Sequence, residues 1–437
     1  MLLMALITIA LIVYSVINFK NAVFLVSSVF VLQMHLTAGV VNFRMFYVIS
    51  LFQIIAFLIN KARTSRKLKY PLLLAFPCLF ATIGYILSSV YGVCKPYAEI
   101  LLSSICLFGY PVVLFYTIRT RSDLHTFLRF ILYFFLVIGV YAVIEEITRY
   151  NIYSQFIDTM DANKGYFGGV HEKVRYGLRR CNSLLAFCST LGFTSSITFF
   201  VLLYLRVNKI IINKRIENIL FFLMPLCVLL SGTRSQFIVF ATCLFPFVLW
   251  NKTYNTKIFR AFVVIAFVSL AIFAEYFGEV AESMMFSNET GGSSTEMREV
   301  QLEICMIFFN KSPIWGFGDG YLMKYVQPYY PALHGAESIW FRLMVDYGIV
   351  GCITFLMIVL GCIIWLFRYD KRFIFIPLAY LLGKTLSIVV GIELTYLLII
   401  CILFQKISIL YGLGKTAHEY NKHKKLLRVR RMRSVVR

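Results

Sequence analysis

The chain has 437 residues, 60% of them hydrophobic and only 15% charged, and a soluble globule cannot bury so much apolar surface; lipid is the solvent this composition calls for. The formal net charge of +22 would suggest a nucleic-acid partner in a soluble protein. Here much of it lies where an anionic membrane leaflet would hold it, so no nucleic-acid function is implied.

Runs such as Phe262 to Ala274 and Ile353 to Leu366 are apolar on every side, the pattern of membrane spans rather than of amphipathic helices. In chain order, apolar stretches at 2–18, 22–41, 43–59, 70–91, 98–118, 126–147 and 183–205 predict spans in the first half. Those at 218–231, 236–250, 261–279, 340–367, 373–391 and 393–410 predict spans in the second. The fold class expected is therefore an all-α polytopic membrane protein of about 12 to 13 transmembrane helices. The first stretch lacks a basic segment ahead of it and a small-residue cleavage site behind it, and is expected to be a retained helix.

Lysine and arginine orient the bundle, because cytoplasmic loops keep positive charge during insertion. Inside loops carry Lys61 to Lys69, Arg119 and Arg121, Arg206 to Arg215, Lys252 to Arg260, Arg368 to Arg372, and the tail from Lys415 to Arg437. The predicted organisation is transmembrane helices over 1–147, a first outer loop at 148–182, and central helices over 183–279 with an outward-facing GTRSQ turn. A second large outer loop at 280–338, helices over 339–410 and a basic cytoplasmic tail at 411–437 follow. The tail reads as a membrane-surface anchor.

Six of the eleven cysteines, Cys78, Cys106, Cys227, Cys243, Cys362 and Cys401, lie within apolar runs and read as small hydrophobes. No CxxC spacing occurs, so no metal site is expected.

The two long outer loops are where chemistry is expected. The first is basic and ends in RYGLRR, Arg175 to Arg180. These arginines either clamp a substrate phosphate at headgroup level or bind ordinary lipid phosphates. Arg234 lies in the polar break LLSGTRSQF between two apolar runs, where it needs a partner or a water-filled cavity. Substrate phosphate is one such partner; the alternative is a turn arginine reaching for the interface. His334, with Glu337 one helical turn beyond it, is the better of two outer histidines to act as a general base; the alternative is an inert loop residue. Lys384 and Asp346 lie inside predicted spans, either as part of a site or pathway or as a structural pair within the bundle.

The segment from SSTEMREVQLEICMIFFNKSPIWGFGDGY to HGAESIWFRLMVDYGIVG resembles the O-antigen ligase and polymerase superfamily, the Wzy-type polymerases. Members show an arginine-bearing helix, a P-x-x-G-x-G turn, a histidine and a downstream G-x-x-G. Here these correspond to Arg298, then Pro313, Gly316 and Gly318, then His334, then Gly348 and Gly351. SGTRSQ resembles the family's Ser-Arg turn, and GLRRCNSLLAF its basic segment entering a span. Thr233 stands where the family commonly has serine, and Gly335 where a small polar residue usually follows the histidine.

The resemblance implies a GT-C-like bundle in the bacterial inner membrane and glycosyl transfer from an undecaprenyl-pyrophosphate-linked oligosaccharide, without a metal or nucleotide sugar. It implies Arg175, Arg179, Arg180, Arg234 and Arg298 on the pyrophosphate, His334 as base and Glu337 orienting it. The expected activity is a polymerase of O-antigen, capsule or exopolysaccharide repeat units on the outer face. A ligase transferring polymer to lipid A core is the nearest enzyme alternative, a lipid-linked oligosaccharide flippase the transporter alternative, and a purely structural membrane scaffold the third. Chain-length control would require a separate regulator protein.

Overall fold

The structure is a computed structural model that describes residues 2–32, 35–38, 41–63, 72–158, 174–175, 178–185, 187–250, 295–333, 338–387 and 394–413. The first half contains α1 (Leu2–Ile17), α2 (Phe19–Val29), α3 (Met45–Arg63), α4 (Leu72–Tyr91), α5 (Tyr97–Thr117), α6 (Arg121–Thr148) and the short α7 (Ile152–Asp158). Next come α8 (Cys188–Val207), α9 (Lys214–Leu230), α10 (Arg234–Trp250) and α11 (Thr295–Lys311). The chain closes with α12 (Ile339–Arg342), a π-helix at Leu343–Tyr347, α13 (Gly348–Phe367), α14 (Phe375–Leu386) and α15 (Leu394–Tyr411). Among the described residues five helical stretches are long and apolar enough to cross a membrane: α5, α6, α8, the α12–α13 run and α15. Shorter apolar helices include α1, α2 and α10. This is a multi-pass membrane architecture, and its outward faces carry the apolar side chains that lipid requires, such as Phe76, Phe80, Leu360 and Phe367.

The bundle is built around α8, which is buried along its whole length until Arg206. Its polarity is unusual for a central helix: Ser189, Thr190, Thr194, Ser195, Ser196 and Thr198 are all buried. Several of these hydroxyls donate one turn back along the helix, Thr194 to the Thr190 carbonyl, Ser196 to Gly192 and Thr198 to Thr194, each at 2.8 Å. Small residues also let neighbours approach closely, the logic of helix association in lipid. A Cβ on Gly192 would stand 2.7 Å from the Gln236 side chain and 2.8 Å from Ser231 Oγ. A second, smaller core gathers Cys305, Leu322, Val326, Leu333, Phe341 and Val345, and joins α11 to the segment entering α12.

One expectation changes. The apolar run at 22–41 is not one span: α2 stops at Val29, and His35–Ala38 pairs with Val41–Arg44 in an antiparallel hairpin. Apolar content alone does not distinguish helix from strand over so short a stretch. The outer loop at 280–338 is partly ordered secondary structure, with α11 inside it, and the loop at 148–182 contains α7 and a hairpin pairing Val174 with Arg179 and Arg175 with Leu178. The span expected at 261–279 lies outside the described residues.

Candidate active site

The polar break between α9 and α10 is a tight reversal. Gly232 adopts φ +57°, a left-handed conformation that closes α9, with its N–H donating to the Leu229 carbonyl at 2.9 Å. Ser231 Oγ donates to the Val228 carbonyl at 2.7 Å and lies 2.9 Å from Thr233 Oγ1, so the turn's hydroxyls are spent within it. Arg234 then opens α10.

Two distant segments converge on this turn. The Cys181 N–H donates to the Leu230 carbonyl at 2.9 Å, which lays the end of the basic segment alongside the turn. The stem of Arg180 covers Gly232, where a Cβ would come within 2.9 Å of Arg180 Cγ. Arg180 Nε is buried and makes no hydrogen bond among the described residues. From the other side, Gln236 Nε2 donates to Ser387 Oγ at 3.4 Å, and Arg298 Nη2 donates to the neighbouring Leu386 carbonyl at 3.0 Å. Three of the arginines singled out in the sequence, Arg180, Arg234 and Arg298, thus meet around one turn and the C-terminal end of α14. Lys384, on that same end, lies over the Tyr380 ring at 6.0 Å. For Arg175 and Arg179 the backbone is described and the side chains are not.

His334 and Glu337 lie outside the described residues, but both flanks of their segment are tethered. Upstream, Gln301 Nε2 donates to the Ala332 carbonyl at 2.8 Å and Gln327 Nε2 to the Leu333 carbonyl at 3.1 Å. Gln301 is one turn beyond Arg298 on α11. Downstream, Trp340 Nε1 donates to Thr385 Oγ1 at 3.0 Å, next to the Leu386 carbonyl that Arg298 engages. The chain therefore leaves α11 and returns to α14 on either side of the segment.

The P-x-x-G-x-G turn serves packing of backbone on backbone. Gly316 (φ +67°) would place a Cβ 2.5 Å from the Asp346 carbonyl carbon, and Gly318 (φ +95°) would place one 2.2 Å from the Cys94 carbonyl oxygen. Hydrogen bonds close the seam: Phe317 N to Val345 O at 3.0 Å, Gly318 N to Asp346 O at 2.9 Å, and Val93 N to Phe317 O at 2.8 Å. Asp346, fully buried, is no partner of Lys384 here. Its carboxylate accepts from the Gly320 and Leu322 N–H groups at 3.0 and 2.8 Å and pairs with Arg342 Nε at 3.3 Å. Arg342 also meets Asp319 at 2.7 Å, and Tyr347 donates to Asp319 at 2.5 Å. Burial works against ionisation of Asp319, yet the Arg342 guanidinium and the Tyr347 hydroxyl outweigh it and hold its carboxyl below the usual carboxylate range.

Arg342 is the member of this charge cluster that sequence reasoning missed, and its spacing of four residues from Asp346 was the available signal.

No curated protein matches the chain. Residues 219–356, which hold Arg234, Arg298, the glycine turn and His334, match the family model described as O-Antigen ligase, in agreement with the resemblance to the O-antigen ligase and polymerase superfamily that the motifs carry.

Proposed function

We propose that the protein is a polysaccharide polymerase of the bacterial inner membrane, with about a dozen spans, that joins undecaprenyl-pyrophosphate-linked oligosaccharide repeat units on the outer face. The observation that carries this reading is the gathering of Arg180 and Arg234 at one polar turn and of Arg298 at the end of α14, which Gln236 and Ser387 join to that turn. Guanidinium groups held in place before the reaction stabilise a dianionic leaving group as its charge develops, and planar donors suit phosphate oxygens. The acceptor sugar hydroxyl attacks the anomeric carbon of the donor. The bond from that carbon to the pyrophosphate oxygen breaks, and its electron pair leaves with undecaprenyl pyrophosphate. His334 takes the hydroxyl proton, with Glu337 orienting the imidazole. The first outer loop and α11 supply the surfaces on which the sugars are read.

The matched family model, described as O-Antigen ligase, is equally compatible with a second reading, ligation of finished polymer to a lipid A core. Deleting the gene and resolving the surface polysaccharide on a gel separates the two. Core carrying a single repeat unit is expected for the polymerase; bare core with long lipid-linked polymer overturns it in favour of the ligase. In the complemented strain, Arg234→Ala and His334→Ala proteins inserted at normal levels are expected to make no long chains, and full-length polymer from either would sink the assignment.

A further inference from the structure

Glu145 lies near the end of α6 and is fully buried. Its Oε2 accepts the Ser183 N–H at 2.7 Å, and its Oε1 accepts the Asn182 N–H at 3.4 Å. A carboxylate in this depth of the bundle is costly unless hydrogen-bonded, and here backbone donors of a single turn supply the bonds. That turn needs holding. Ser183 has φ +57°, a left-handed conformation that side chains other than glycine rarely adopt, and nothing in a lone serine favours it. Two further bonds fix the same residue: Ser183 Oγ donates to the Ile138 carbonyl at 2.7 Å, and Asn151 Nδ2 donates to the Ser183 carbonyl at 3.0 Å. Directly before the turn, the Cys181 N–H is bonded to Leu230 of the Gly232 reversal, and directly before that comes Arg180, whose stem lies on Gly232.

We propose that Glu145 is a positioning residue of the arginine site: its carboxylate holds the Asn182–Ser183 turn in its left-handed form and so seats Arg180 over Gly232, two residues from Arg234. The proposal rests on the reading that Arg180 binds the leaving pyrophosphate. Glu145 touches no substrate; it acts through one arginine, so its removal matters only while that arginine is present. The chain thereby couples the first long loop to the α9–α10 turn through a buried acid, with no contact between Glu145 and the turn itself required.

The test is a rate measurement on the full chain in proteoliposomes supplied with undecaprenyl-pyrophosphate-linked repeat units from the host, each rate scaled to folded protein. Arg180→Ala is expected to slow polymerisation by about 100-fold, the effect of deleting one preorganised donor to a developing charge. Glu145→Ala is expected to slow it by about 10-fold or more, chiefly in kcat, because the arginine is mis-set rather than absent. Glu145→Gln keeps an oxygen for the Ser183 N–H and the side-chain volume, and is expected to recover most of the rate; should the alanine protein not fold, Glu145→Asp, whose shorter side chain withdraws the carboxylate from both N–H groups, is expected to be slow, and a wild-type rate for it overturns the positioning role. The double variant Glu145→Ala with Arg180→Ala is expected to be no slower than Arg180→Ala alone, since both changes act at one place. Losses that multiply in the double variant, or a wild-type rate for Glu145→Ala beside a crippled Arg180→Ala, overturn the positioning role and leave the polymerase reading standing. Wild-type rates for Arg180→Ala and Arg234→Ala overturn that reading itself, whatever Glu145 does.

Discussion

Gly318→Ala and Gly320→Ala form a matched pair that isolates the cost of backbone approach at the glycine turn. Both glycines have positive φ, +95° and +79°, so an alanine at either pays ~1–2 kcal/mol for the left-handed conformation. Their surroundings differ. At Gly320 the nearest atom to a new Cβ is Lys324 Cε, 3.8 Å away, an ordinary contact with a flexible side chain. At Gly318 it is the Cys94 carbonyl oxygen at 2.2 Å, which cannot yield without parting the two segments. Parting them breaks the bonds of Val93 and Cys94 N–H to the Phe317 carbonyl. At ~0.5–1.5 kcal/mol for each bond, the total for Gly318→Ala is roughly 2 to 5 kcal/mol, against ~1–2 kcal/mol for Gly320→Ala. Unfolding by sodium dodecyl sulfate in mixed micelles, followed by tryptophan fluorescence, reads the difference, because Trp315 and Trp340 bracket the turn. If the two variants unfold within about 1 kcal/mol of each other, the steric account of the seam is wrong.

The charge cluster beside the seam gives two further tests. Arg342→Leu strands the buried Asp346 and Asp319 without their counter-ion and is expected to cost ~3–5 kcal/mol in the same titration, part of which adding Asp319→Asn should return; an unchanged midpoint would show that the cluster is not held by charge. Asp319 has a lowered folded-state pKa, so its contribution is complete above the unfolded value of ~3.9 and is lost as pH falls through the lower folded value. The wild-type and Asp319→Asn proteins are accordingly expected to differ in thermal midpoint at neutral pH and to converge only below about pH 4; convergence near pH 6 would contradict the assignment.

Most of what positions the site was legible as local pattern. Arg234 stood out because a polar turn interrupts two apolar runs, and Arg298, Pro313, Gly316 and Gly318 stood out through the resemblance to the family's motif order. What was not legible depends on contacts between parts of the chain far apart in sequence. Nothing in RYGLRR says that Arg180 rests on Gly232; that follows from the bond between Cys181 and Leu230, and from a buried glutamate on another helix. The spacing of the glycine turn was visible, but its reason, contact with the carbonyls of residues 94 and 346, was not. Asp346 was weighed against Lys384 because both are charges in apolar runs, whereas its partner was four residues upstream. The false span at 22–41 arose because hydropathy averaged over a window does not distinguish helix from strand, and the strand at His35–Ala38 was averaged with the apolar helix before it.

The seam between residues 92–94 and 316–318 also has a consequence for the order in which the molecule is made. Gly92 would place a Cβ 2.3 Å from the Phe317 carbonyl carbon and 2.6 Å from Gly318 N, so the backbone of residues 317 and 318 fills that notch. At ~5–20 residues per second, the ribosome reaches the second half of the contact about 10 to 45 s after the first, and until then the end of α4 is an open edge with unspent N–H groups at Val93 and Cys94. A chain truncated anywhere before the glycine turn keeps that edge permanently.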